Sequence, residues 1–158
     1  MFISQQPIEY IKTQIQQKIG EFLVSKSKLL KLEETIKNII YTLQKENKPI
    51  TDIQSYLSVL EGLKIEYNEI EKNLNILSDE LKKDKPNYAL LLTKGPTILT
   101  RLEIYLKNLN MLEEAVNQYI ETNKIKVISP LKLESLILPA ILTIGGIMLV
   151  FRRKKWKN

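Results

Sequence analysis

The residues that could do chemistry in this chain are few in kind. Of its 158 residues none is Cys and none is His. Disulfides, thiolate metal sites, a cysteine nucleophile and a histidine base are therefore excluded. Carboxylates remain, in the doublets Glu33-Glu34 and Glu113-Glu114 and in the pair Glu66 and Glu69. Adjacent residues on a helix point about 100° apart, so a doublet cannot share a metal ion or a proton; solvated helix surface is the expected role. Lys94-Gly95-Pro96-Thr97 superficially resembles a phosphate loop but lacks the glycine spacing that lets backbone N–H groups converge. Tyr56, Tyr67, Tyr105 and Tyr119 fall on apolar stripes, where a packed ring is expected. No catalytic, cofactor-binding or metal-ligating set emerges, and the expectation is a protein that is not an enzyme and carries no cofactor.

The net charge of +6 is placed unevenly. Arg152, Arg153, Lys154, Lys155 and Lys157 crowd around Trp156 in the last seven residues, and the body before them is nearly neutral. A nucleic-acid binder needs cations spread over a face, often interleaved with aromatics, so nucleic acid is not an expected partner.

Immediately upstream, Ser135 to Phe151 reads SLILPAILTIGGIMLVF, 17 residues without a charge. As a helix it would be about 25 Å long, against a hydrocarbon core of roughly 30 Å. A buried core helix should show a polar face, and this stretch offers only Ser135, Thr143 and two glycines. The reading is a single C-terminal transmembrane helix over 135–151, with the lipid bilayer as partner. The basic tail at 152–158 would hold one end at an anionic cytoplasmic surface. Ala140, Gly145 and Gly146 would form a smooth patch for close helix approach.

The positive-inside rule puts the C-terminus in the cytoplasm and the helices outside. The first residues, MFISQQPIEYIKTQ, contain no export signal. Two readings follow: an upstream segment in a protein of the bacterial inner membrane, which is preferred, or a cytosolic coiled coil anchored by its tail.

The elements before the span are written in heptads. A first stripe runs through Ile8, Ile11, Ile15, Lys18, Phe22, Ser25, Leu29, Leu32, Ile36, Ile39 and Leu43, with Lys18 and Ser25 as interruptions. Asn47-Lys48-Pro49 stops it. Thr51 and Gln54 then have the spacing of a capping box. The second stripe is Ile53, Tyr56, Leu60, Leu63, Tyr67, Ile70, Leu74, Leu77 and Leu81, without interruption. The third is Ile98, Leu102, Tyr105, Leu109, Leu112, Val116 and Tyr119. Apolar residues at alternating spacings of three and four argue for helices that wind on partners.

The fold class is mostly α: a long antiparallel, coiled-coil-like hairpin over 1–83, a connector at 84–96 bracketed by Pro86 and Gly95-Pro96, and a third helix over 97–122. An extended juxtamembrane link at 123–134 precedes the span, with alternating residues from Lys124 to Pro130. The stripes predict burial either within a three-helix bundle or between copies of the chain, so self-association through them is expected.

A helical hairpin, the segment from Lys124 to Pro130, and a glycine-containing span with a basic end together resemble one family. The layout is similar to the C-terminal half of the Wzz-type polysaccharide co-polymerases, the chain-length determinants of bacterial surface polysaccharides. The resemblance implies an external helical domain that oligomerises in the inner membrane and sets the length made by a polysaccharide polymerase. It also implies a first span and N-terminal strands, which this sequence does not contain. The competing expectation is a tail-anchored cytosolic tether or scaffold whose coiled coil binds a partner helix.

Overall fold

A computed structural model describes residues 6–126. Three helices fill almost all of it: α1 (Gln6–Lys45), α2 (Thr51–Leu81) and α3 (Tyr88–Thr122). No strand occurs among the described residues. The span at 135–151, the tail at 152–158 and residues 127–134 of the link lie outside the described residues, as do Ala140, Gly145, Gly146, Arg152, Arg153, Lys154, Lys155, Trp156 and Lys157. Among the described residues no helix is long and apolar enough to cross a membrane.

Cross-helix pairs define the topology. Ser25 meets Tyr105 and Lys28 meets Asn110, a nearly constant offset, so α1 and α3 run parallel. Glu33 meets Lys64 and Phe22 meets Tyr67, which makes α1 and α2 antiparallel. Glu66 with Arg101 and Tyr56 with Tyr119 make α2 and α3 antiparallel too. The result is an up-down-up bundle in which each helix packs on both others.

All three stripes face one another inside it. On α2 the residues Ile53, Leu60, Leu63, Tyr67, Ile70, Leu74 and Leu77 are buried, and Tyr56 and Leu81 are half-buried near the two ends. The sequence alone left open whether the stripes close within one chain or between copies; here they close within one chain.

The third helix starts earlier than its sequence suggested. Residues 88–96, expected as part of a connector, are helical, and the connector shrinks to 82–87. The Asn87 side chain accepts from the Leu90 N–H at 3.1 Å and caps the new start. Leu91 and Gly95 are buried and carry the heptad register back from Ile98 by about two more turns. Pro96 is tolerated inside α3 because the residue before it is glycine, with no Cβ to meet the pyrrolidine ring. Gly95 also serves the packing: a Cβ built on it would lie 2.8 Å from Ile11 Cγ2 on α1.

Two other local expectations change. Thr51 is already inside α2, after the cap residue Ile50, and no side-chain cap bond forms; the Gln54 N–H bonds the Ile50 carbonyl at 2.9 Å instead. Lys124 does not open an extended link. It takes a left-handed conformation (φ 49°) that closes α3, with Lys124 N–H on the Glu121 carbonyl and Ile125 N–H on that of Ile120. Asn47 (φ 52°) closes α1 in the same way, with Lys48 N–H on the Leu43 carbonyl at 2.9 Å.

Candidate functional site

The residues singled out for possible chemistry are occupied by structure. Glu33 binds Lys37 and, across to α2, Lys64, and these ammonium groups hold its carboxyl below the ordinary range. Its neighbour Glu34 points to solvent. Glu113 pairs with Lys28 of α1 at 2.5 Å while Glu114 is exposed. Glu66 receives both Nε and Nη2 of Arg101, at 2.8 and 2.7 Å, in a bidentate fork between α2 and α3. Each pair of helices thus has one ion pair tying it together. Lys94 to Thr97 lies within a helix, with the Thr97 hydroxyl donating back to the Thr93 carbonyl, so its backbone N–H groups cannot cradle a phosphate. Among the described residues no group of three potential metal ligands converges.

The centre of the bundle is an aromatic layer with one ring from each helix. Phe22 and Tyr67 stack with centroids 4.3 Å apart, and Tyr105 meets both edge-on at 6.1 Å. The Tyr105 hydroxyl donates to Ser25 Oγ at 3.0 Å, and Ser25 donates in turn to the Phe22 carbonyl at 2.5 Å. Burial raises the Tyr105 phenol above its ordinary value, and burial followed by the nearby Glu71 carboxylate does the same to Tyr67. Both rings stay neutral at physiological pH and act as packing with a satisfied polar tip. Ser25, an interruption of the first stripe in the sequence, is the acceptor this layer needs.

A second polar device locks the α2–α3 corner. The nearly buried Glu80 accepts from the Asn87 backbone N–H at 2.6 Å and pairs with Lys83 at 2.5 Å. Lys83, then that N–H, lower the Glu80 carboxyl below the ordinary range. No sequence motif marks Glu80; only its place one residue before the last stripe position hinted at contact.

Among the described residues an open groove of about 660 Å³ lies between α2 and α3. Its exposed apolar walls are Val59, Ile104 and Met111, its floor includes Gly62 and Ala115, and the Glu66–Arg101 fork closes one end. That volume is in the range of small-ligand sites, but convergent polar groups are lacking because Glu66 and Arg101 neutralise each other. The groove suits an apolar protein surface better than a small polar molecule. Val59, Ile104 and Met111 were missed in the sequence because they lie off the main stripes; their own spacing, Ile104 to Met111 across one heptad, was the available signal.

Comparison with known protein families, curated proteins and solved structures gives no match for this chain.

Proposed function

We propose that this chain is a non-enzymatic, membrane-anchored assembly protein, in which a three-helix bundle is held at a bilayer surface by residues 135–151. The observation that carries the reading is the charge-free 17-residue stretch followed by five cations in seven residues. The bundle supports it from the other side: Glu33, Glu66 and Glu113 are committed to ion pairs between helices and the rings of Tyr67 and Tyr105 to packing, which is the economy of a structural module. Full-length chain expressed in bacteria should remain with membranes through alkaline carbonate washing, and deletion of 135–151 should release it. Full-length chain in the soluble fraction would overturn the reading.

A finer proposal is control of surface-polysaccharide chain length beside a polymerase. Its support is layout alone, a helical hairpin followed by a span with a basic cytoplasmic end. Deletion in the native host should then shift the length distribution of a surface polymer without abolishing polymer synthesis; an unchanged distribution would remove this proposal and leave the anchored module standing.

A further inference from the structure

The outer face of α3 carries a second stripe beside the core one. Ile104, Asn108, Met111 and Ala115 recur at spacings of four, three and four, rotated away from the core stripe, and continue the line of Arg101, which is held by Glu66. Ile104 and Met111 are 54% and 57% exposed on it, large values for side chains of that size in a helix with a filled core. Along one edge of this face stand Lys107 and Glu114, seven residues apart, opposite in sign and exposed. Neither enters an ion pair among the described residues, whereas Arg101 and Glu113 on the same helix do. Across the groove, Gly62 on α2 has nothing within 4 Å of where a Cβ would stand. The bundle does not require glycine there, and a mid-helix glycine costs roughly 0.5–1 kcal/mol relative to alanine.

We propose that a second copy of this chain docks in the α2–α3 groove, with the two α3 helices antiparallel about a two-fold axis near residues 109 and 110. Charge complementarity selects this occupant and this direction. In an antiparallel pair, equivalent edges face each other, so Lys107 of each copy lies against Glu114 of the other, twice over by symmetry. The layers of the face fall into place in the same register: Ile104 opposite Ala115, and Asn108 opposite Met111. A parallel pair in register would set this charged edge against the Tyr105 and Leu112 side of the face and leave Lys107 and Glu114 unmatched. Gly62 provides the room for the incoming helix to approach α2.

The absence of cysteine makes the test clean. Full-length Lys107→Cys and Glu114→Cys chains are purified separately in mild detergent, then treated with a short thiol-to-thiol cross-linker alone and mixed. The mixture should yield covalent dimer several-fold above either variant alone, because 107 and 114 of the two copies lie about 3 Å apart along the axis in the antiparallel pair, against about 7 Å for 107 with 107 and about 13 Å for 114 with 114. Gly62→Trp, introduced into both chains, should abolish that dimer while the helical circular dichroism is retained. Ile104→Glu should do the same through an exposed position that no core contact constrains. Cross-linking of like positions with like would mean a parallel pair and overturn the proposal. So would monomer alone in the mixture, or a dimer that survives both groove variants. Because detergent replaces the bilayer, a failure here leaves membrane anchoring untouched, and soluble behaviour of the chain leaves the pairing untouched.

Discussion

Replacing Gly95 by alanine tests the closest approach in the bundle. The new Cβ would stand 2.8 Å from Ile11 Cγ2. Carbon atoms rest at about 3.5–4.0 Å, so roughly 0.7 Å or more must be recovered by moving α1 from α3 or by turning Ile11. Ile11 is β-branched, stiff at χ1 in a helix and 8% exposed, which makes turning costly. Overpacking of this kind costs about 1–3 kcal/mol. Against it stands the intrinsic gain of alanine over glycine in a helix, about 1 kcal/mol. The net expectation is destabilisation of about 0–2 kcal/mol. The same change in an Ile11→Ala background meets no γ carbon, so only the propensity gain remains and Gly95→Ala becomes stabilising by about 1 kcal/mol. The coupling between the two sites is then about 1–3 kcal/mol. Urea unfolding followed by far-ultraviolet circular dichroism in mild detergent measures all four corners of this cycle. Gly20→Ala serves as the reference, since nothing lies within 4 Å of its Cβ position; it should stabilise by about 0.5–1 kcal/mol. If Gly95→Ala stabilises equally in both backgrounds, the helices are not as close as described and the packing role of Gly95 is wrong.

The aromatic layer predicts an asymmetry: Ser25→Ala strands the buried Tyr105 hydroxyl and should cost about 1–3 kcal/mol, whereas Tyr105→Phe removes one hydrogen bond for about 0.5–1.5 kcal/mol and leaves Ser25 bonded to the Phe22 carbonyl. Equal costs in the same urea titration would refute that role for Ser25. The pH dependence follows from Glu33, held down by Lys37 and Lys64, and Glu80, held down by Lys83 and the Asn87 N–H. A carboxyl whose folded pKa is depressed contributes stability above its unfolded value and loses it as pH falls through the folded one. Melting temperature should therefore be flat from pH 5 to 8, where the chain has no histidine to titrate, and fall below about pH 4.5. Glu33→Gln and Glu80→Gln should each flatten that acid limb, and an unchanged limb in both variants would refute the assignment.

The helices were legible because one physical rule dominates this chain. Stripes such as Ile53 to Leu77 repeat at the helical period, and the period survives interruption because its neighbours fix the register. Ser25 shows the limit of reading polarity position by position, since its partner Tyr105 comes from a helix 80 residues away. Gly95-Pro96 misled for a related reason. Both residues break isolated helices, but Gly95 is required by Ile11 across the bundle and also relieves the proline, and neither effect is visible along the chain. Thr51 had the right spacing for a capping box, but the helix began a residue before the hydroxyl could be used. The groove was hidden because Ile104 and Met111 look like scattered surface apolars until α2 supplies the opposite wall.

Membrane anchoring with the bundle outside is the claim on which the function rests, and topology tests it most directly. Lys48 is the better probe at the α1–α2 turn, because it avoids the left-handed Asn47 and is exposed. Single-cysteine chains, Lys48→Cys and Asn158→Cys, are labelled in intact cells with a membrane-impermeant thiol reagent, before and after permeabilisation. The account predicts labelling at 48 in intact cells and at 158 only after permeabilisation. Labelling at 158 alone in intact cells, or at neither position until the cells are opened, would contradict it and place the bundle on the cytosolic side.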